Sequence, residues 1–281
     1  MAGTLYVIAT PLGNLDDLSP RGAELLARVD RIACEDTRRT GKLLARYGIS
    51  TPTISCHRHN EPARAEQILG WLADGQDIAL VSDGGTPAVS DPGALLVAEA
   101  HERGCKVVPV PGPSAVTTLL SAGGLQADRY VFDGFLPHRG GERRRRLREL
   151  AAESRTVVLF ETPHRILDTL DDMDAILGGR LLVLGRELTK VHEQVLRGTA
   201  AALKESLGTG SAKGEFCLAI AGAAGDHRPP GDDLHELVTS FRKAMEEHGD
   251  DRRAALKALA RSTGRKKAEL YRALVEAGEL D

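Results

Sequence analysis

Val81-Ser-Asp-Gly-Gly-Thr-Pro-Ala-Val-Ser-Asp-Pro-Gly93 decides how this chain of 281 residues is read. An apolar run over 78–81 leads into it, and a helical pattern over 94–103 leads out. The pattern is a strand, a long turn and a helix. Gly84 and Gly85 open backbone conformations closed to other residues and let a ligand approach with no Cβ in the way. Asp83 and Asp91 are acceptors suited to a ribose diol or an amine. A bare strand-to-helix connector needs only about 2–6 residues, so this stretch reads as a ligand loop.

The same pattern repeats on both sides. Strands are expected over 4–9, 31–34, 53–56, 78–81 and 106–110. Helices are expected from Ser19-Pro20, over 40–47, from Pro62, over 94–103 and up to Leu120. Alternating strands and helices make this half an α/β unit with a mostly parallel sheet. Polar clusters follow the strands at 10–17, 35–39, 57–61, 82–93 and 111–115. In open α/β sheets, ligands bind at the carboxyl ends of the strands.

Gly123-Gly-Leu-Gln-Ala-Asp128 marks a boundary. Beyond it, strands are expected over 130–135, 156–160, 181–184 and 215–221, the last after a turn over 208–214. A helix running to Leu177 lies among them, and the sheet is expected to be mixed. Residues 225–233, with Pro229-Pro230, read as a linker. Three helical patterns follow, over 234–248, 251–263 and 266–277, with Gly264 as a tight turn. The expected domains are 1–122, 123–224 and 225–281.

Composition bounds the function. Hydrophobic content is 42% and aromatic content 4%, which predicts globular domains with aliphatic cores. A net charge of −3 excludes general polyanion binding. Positive charge is local: residues 139–148 carry six arginines against one glutamate, and 252–272 carry eight Lys or Arg against one glutamate. Four scattered cysteines without a C-x-x-C pair predict buried, reduced thiols and a cytoplasmic protein. No signal peptide and no membrane span are expected. His57-x-His59 with Glu61 lacks a fourth ligand close in sequence, so no metal is expected. There is neither a G-x-x-x-x-G-K-[ST] loop nor a G-x-G-x-x-G after the first strand. A loop of glycines, carboxylates and hydroxyls with little fixed positive charge suits a ligand with a ribose, an amine and little phosphate. S-adenosylmethionine has that character.

Together with Pro109-Val-Pro-Gly-Pro-Ser-Ala115, the opening stretch resembles the tetrapyrrole methylase superfamily of S-adenosylmethionine-dependent methyltransferases. Five further stretches are similar to its ribosomal RNA small subunit methyltransferase I branch. They are Ala9-Thr-Pro-Leu-Gly-Asn-Leu15, Cys34-Glu-Asp-Thr-Arg38, His59-Asn-Glu61, Phe160-Glu-Thr-Pro-His-Arg165 and Glu187-Leu-Thr-Lys-Val-His-Glu193. The resemblance spans about residues 4–222. The helical tail is similar to a helix-turn-helix extension of some members. Gly84 stands where the branch usually has Ala, which is expected to loosen the loop without blocking it.

The resemblance implies a two-domain α/β fold with a cofactor cleft between the domains, plus a small helical domain. It implies 2′-O-ribose methylation of a cytidine in the decoding region of 16S ribosomal RNA, with the RNA or the small ribosomal subunit as partner. It also implies a homodimer, no metal and no second cofactor. By motif position, the cofactor is expected at Pro11, Asp83, Gly84, Gly85, Thr86, Ser114 and Ala115, with Glu161 and Thr162 approaching from the second domain. A ribose hydroxyl is a poor nucleophile, so a base or a cation is expected beside it. Lys190, Glu187 and Asp36 are the leading candidates, with Glu35, His192 and Glu193 behind them. A desolvated Lys190 beside Arg186 is the first choice of base. Two other readings remain: a C-methyltransferase acting on a tetrapyrrole precursor, and a ligand-sensing DNA-binding regulator. The arginine run and the basic tail are expected to position RNA by its phosphates.

Overall fold

The computed structural model describes residues 2–208, 214–223, 234–249, 251–263 and 266–280. The linker expected at 225–233, the Gly264 turn and the middle of the 208–214 turn lie outside the described residues. The chain divides into two compact units, Met1–Gly222 and Ala223–Asp281.

The first unit holds two five-stranded sheets. In the first sheet, β1 (Thr4–Ile8), β2 (Arg31–Cys34), β3 (Thr53–Ser55), β4 (Ile78–Leu80) and β5 (Lys106–Val110) run parallel in the order β3-β2-β4-β1-β5. Alternation along the strands divides the core between its two faces. On one face Ile8, Ile32 and Ala79 meet α1 (Pro20–Arg28) and α2 (Thr37–Arg46) through Leu25, Leu26, Leu43 and Leu44. On the other, Leu5, Ala33 and Leu80 meet α3 (Glu61–Ala73) and α4 (Ala94–Glu102) through Ile68, Leu69, Leu72 and Leu96. The chain therefore leaves β1 over one face and its neighbour β4 over the other. That is a topological switch point, and it leaves a crevice outside the ends of β1 and β4.

Local chemistry sets the helix starts. The Ser19 hydroxyl accepts from Gly22 N at 3.0 Å, with Pro20 in the first turn. Helix α2 begins three residues before the expected 40–47. The Asp36 carboxylate accepts from Arg38 N at 2.8 Å, and this N-cap draws Thr37–Arg39 into the helix. Glu61 Oε1 accepts from Gly93 N at 2.8 Å and Leu95 N at 3.1 Å, satisfying donors at the start of α4.

The second sheet has the order β6-β7-β10-β8-β9, from β6 (Tyr130–Phe135), β7 (Thr156–Glu161), β8 (Leu182–Arg186), β9 (Gln194–Gly198) and β10 (Phe216–Ile220). Only β6 and β7 pair in parallel, so the sheet is mixed. Helices α6 (Gly140–Ala151), α7 (Ile166–Leu177) and α8 (Ala200–Leu207) cover one face through Leu147, Leu150, Leu170 and Leu203. The other face receives α5 (Ala115–Gly123), which follows β5 yet packs Val116, Leu119 and Leu120 on Val158, Val183 and Ala219. This helix ties the two sheets together. Neither β9 nor α8 is expected from the sequence patterns. β9 is a half-exposed edge strand with no clean alternation, and its pairing with β8 defines it.

The arginine run forms α6 and is largely neutralised within the chain. Buried Arg143 donates to Asp172 Oδ2 at 2.7 Å, and Arg144 reaches the same carboxylate at 3.4 Å. Arg146 pairs with Asp133 and Glu149, Arg145 with Glu149, and Arg139 with Glu142. Arg143, Arg144 and Arg146 are thereby tied to carboxylates 13 to 29 residues away, whereas Arg139 and Arg145 are mostly exposed and pair with neighbours in sequence.

In the second unit, α9 (Leu234–Glu247), α10 (Arg252–Thr263) and α11 (Lys267–Glu276) share a core of Leu237, Phe241, Ala255, Leu259, Leu270 and Leu274. An Arg242–Glu279 ion pair adds a polar clamp.

This packing ranks substitutions by their cost. Asp172→Ala leaves Arg143 buried without its counter-charge, and urea denaturation should show a loss of about 3–5 kcal/mol; the exposed-pair variant Arg145→Ala should lose about 0.5 kcal/mol or less. Gly93 has φ 121° and would place a Cβ 2.7 Å from Leu80 Cδ2, so Gly93→Ala should cost about 1–3 kcal/mol. Gly84→Ala, at an ordinary φ with its nearest neighbour at 3.3 Å, should cost less.

Candidate active site

The glycine loop is pinned to its neighbours before it meets any ligand. Thr10 N donates to Gly85 O at 2.9 Å, and Gly85 N donates back to Thr10 O at 2.8 Å. The Thr10 hydroxyl donates to Ser82 O at 3.0 Å, and the Ser82 hydroxyl to Gly85 O at 3.2 Å. The Thr86 hydroxyl donates to Pro113 O at 3.1 Å. Loops after β1, β4 and β5 thus form one rigid rim. Gly85 at φ 92° makes the reversal, and Ala88 and Ser90 also take positive φ. Held strain of this kind, about 1–3 kcal/mol per residue, clusters at ligand sites.

A cavity of about 740 Å³ opens between this rim and the second sheet. Of the expected cofactor residues, Asp83, Gly84, Gly85, Thr86, Ser114, Ala115, Glu161 and Thr162 line it. Pro11 does not. It lies beneath the loop, its carbonyl oxygen 3.3 Å from where a Cβ on Gly84 would stand. Lys190 also lines the cavity, while Glu187 and Asp36 stand behind the wall. Sequence reading missed Arg39, Lys42, Phe135, Leu188 and Glu215 among the lining residues. The strand ends signal Phe135 and Glu215, Arg39 closes the polar cluster at 35–39, and Lys42 lies three residues further along α2.

Carboxylates set the electrostatics. Asp91 lines the cavity, and its carboxyl is pushed up to about 6, chiefly by burial and then by the nearby Glu35 charge. Burial and Asp83 also raise Glu35. Asp83 accepts from Asp36 N at 3.0 Å and pairs with Arg39 at 3.5 Å. Asp36 itself is held down at about 2 by the Arg38 guanidinium and backbone N–H, so it is a poor base. Glu161 is buried and accepts from the Thr169 hydroxyl at 2.7 Å and Thr162 N at 2.8 Å, with Arg165 at 3.3 Å.

Lys190 differs from its expected state. Its stem crosses Gly13, where a Cβ would fall 2.1 Å from Lys190 Cγ. Its ammonium donates to Glu187 Oε1 at 2.8 Å and Glu215 Oε2 at 3.1 Å. Burial pulls its pKa down, but the two carboxylates outweigh burial and the net shift is upward. Lys190 is therefore a fixed cation, which corrects the expectation of a neutral amine beside Arg186. Glu187, with φ 52°, is held down net by Lys190 and the Glu215 backbone despite burial. Exposed Glu193 accepts from Thr189 N, and His192 is exposed. Cys217 lines the cavity with its thiol pushed up to about 12 by burial, which makes it inert. Among the described residues, no three His, Cys, Asp or Glu gather as a metal site, and no helix is long and apolar enough to cross a membrane.

A sheet-end cavity between two α/β sheets, with an acidic glycine rim, defines a small-molecule site of a known architecture. Residues 4–204 match the family model for tetrapyrrole (corrin/porphyrin) methylases. Solved structures of the same fold include a cobalt precorrin-4 methyltransferase (TM-score 0.58, 20% identity, 77% of this chain and 94% of that one) and a diphthine synthase (TM-score 0.59, 16% identity, 78% and 90%). A ribosomal RNA small subunit methyltransferase I from Synechocystis is 46% identical over 98% of both chains. One from Haemophilus influenzae is 44% identical over 88% of this chain and 86% of its own. The chain belongs to the tetrapyrrole methylase family, in its ribosomal RNA small subunit methyltransferase I branch.

Asp91 gives this site a pH signature. Its folded carboxyl titrates near 6 against an ordinary 3.8, so the folded chain holds a proton that the unfolded chain releases. Wild-type stability should fall as pH rises from about 4 to about 6 and then level. Asp91→Asn, neutral throughout, should flatten that slope in urea midpoints measured across the window; an unchanged slope would assign the effect elsewhere.

Proposed function

We propose that this protein is an S-adenosylmethionine-dependent methyltransferase of small-subunit ribosomal RNA, acting on the 2′-hydroxyl of a cytidine in the decoding region. The observation that carries the reading is the acidic, glycine-rimmed cavity in a chain with close similarity to ribosomal RNA small subunit methyltransferase I along nearly its whole length. Its substrate is the RNA or the small ribosomal subunit, its working form a homodimer and its compartment the cytoplasm. The porphyrinoid alternative draws on the breadth of the family model and on structures at 16–20% identity, which speak to fold, whereas the relatives at 44–46% identity are ribosomal RNA methyltransferases. Nothing in the three-helix unit by itself favours a DNA-binding regulator. The division into 1–122, 123–224 and the tail remains our reading of the domains, with α5 as the link between the two sheets.

The residues present fit the cofactor. Asp83 and Glu161 offer carboxylates to the cofactor's amine and ribose diol, Gly84 and Gly85 give close backbone approach, and Val116, Leu188 and Phe216 give an apolar wall. A volume of about 740 Å³ lies within the ordinary range of small-molecule sites. When bound, S-adenosylmethionine supplies an electrophilic methyl group on a sulfonium. The protein's part is alignment and charge. Lys190 stabilises negative charge developing on the ribose oxygen, and Glu187 with Glu215 positions it. Asp91, which lines the cavity and is ionised above about pH 6, accepts the hydroxyl proton. Asp36 acts through Asp83, whose carboxylate its N–H orients.

With labelled S-adenosylmethionine and 30S particles, the label should become alkali-stable on a ribose. Label on a base, or none with competent particles, would sink the reading. Lys190→Met should lower kcat about 100-fold or more, the loss typical of removing one charge-stabilising donor, with cofactor affinity retained. Asp91→Asn should remove the acidic limb of the kcat profile near pH 6.

A further inference from the structure

Three of the chain's five phenylalanines gather at one wall of the cavity. Phe132 meets Phe160 edge to face with centroids 5.0 Å apart, and Phe135 meets Phe160 at 5.6 Å. Phe160 and Phe135 both line the cavity, yet Phe135 remains 50% exposed. A large ring left half in water beside a polar pocket, in a chain with few aromatics, is a surface for a ligand.

The backbone sets its aim. Strand β6 pairs Phe132 with Val158, then Gly134 with Leu159 and Phe135 with Phe160. Asp133 is the extra residue of a β-bulge. In regular alternation, Phe132 and Phe135 would project from opposite faces; the bulge puts both on the Val158–Phe160 face. The bulge is held in place. Arg146 Nε donates to Asp133 Oδ2 at 2.9 Å. Gly134 sits at φ 67°, and a Cβ there would lie 3.1 Å from Ser90 Oγ, so β6 is seated directly on the glycine rim.

We propose that Phe135 is the stacking platform for an unpaired nucleobase of the RNA substrate, with Arg146 and Asp133 as its positioning residues. The inference rests on the ribosomal RNA reading above. A protein reads single-stranded RNA by splaying bases onto aromatic faces. The target ribose must enter from solvent, so its base lies toward the open mouth where Phe135 stands. The apolar wall of Val116, Leu188, Phe216 and Cys217 is closed by buried neighbours and suits the cofactor's own base.

The test uses full-length protein. Phe135→Ala and Phe135→Leu should raise KM for 30S particles about 5- to 150-fold, the range for base–aromatic stacking, leaving S-adenosylhomocysteine affinity within about twofold. Phe135→Tyr should restore KM to near wild type. Arg146→Met should raise KM in the same direction. A KM within about twofold of wild type for both Ala and Leu variants would overturn the proposal, as would an equal loss of S-adenosylhomocysteine binding. A second readout is independent of methyl transfer. Phe135→Trp in a Trp71→Phe background, which removes the chain's single native tryptophan, should be quenched by a cytidine-centred oligoribonucleotide and not by S-adenosylhomocysteine. Quenching by S-adenosylhomocysteine alone, or by neither, would also overturn it. If wild type methylates no ribose yet the oligoribonucleotide quenches the fluorescence of the Phe135→Trp variant, the ribose-methylation reading falls and the stacking platform stands.

Discussion

The structure depends on the exchange of two backbone hydrogen bonds between Thr10 and Gly85. They join the loops leaving two adjacent parallel strands whose chains depart over opposite faces of the sheet. Without a partner, the polar backbone groups at such strand ends would need water or a ligand. Here the Thr10, Ser82 and Thr86 hydroxyls complete the set and draw the loop after β5 into the same rim. Because the rim satisfies itself, Asp83, Asp91 and the glycine backbone are left to face the cavity. Gly84 has an ordinary φ and a Cβ there would meet the Pro11 carbonyl at 3.3 Å, whereas Gly85 and Gly93 carry the reversals.

Several charges of the first unit are paired within the chain. The arginines of α6 reach Asp172, Asp133 and Glu149, and Lys190 is shared by Glu187 and Glu215. Facing the cavity are the carboxylates of Asp83, Asp91, Glu161 and Glu215 beside the cations Arg39, Lys42 and Lys190. Asp91 is raised by burial and by Glu35, whereas Asp36 is depressed by Arg38. Two aspartates in neighbouring loops are thereby driven apart in proton affinity, and this separates a group fitted to move a proton from one whose carboxylate braces a helix start.

Arg146 shows how the two themes meet. In the sequence it is one of a row of like charges. In the fold it holds the extra residue of β6, and that bulge decides which face Phe135 presents. A charge that looks like a contact for a partner serves instead to aim a ring.

The sequence by itself determined the parallel first sheet, the mixed second sheet, the helical tail and most of the cavity rim. These follow from local signals: alternation, proline and serine at helix starts, and glycines where the chain must reverse. It also determined the family, because long ordered motifs surround the strand ends. Tertiary structure decided the rest. Edge strand β9 has too little burial to leave an alternating pattern, and α5 packs on a sheet that has not yet been formed when its residues are read in order. The protonation of Lys190 depends on Glu187 nearby and on Glu215, 25 residues away, and the buried end of α6 depends on Asp172, 29 residues from Arg143. Phe135 depends on a register shift set by pairing. Strand register, and the part of a side chain's charge state set by remote partners such as Glu215 and Asp172, arise from contacts between distant segments, and no single stretch of sequence contains both sides of them.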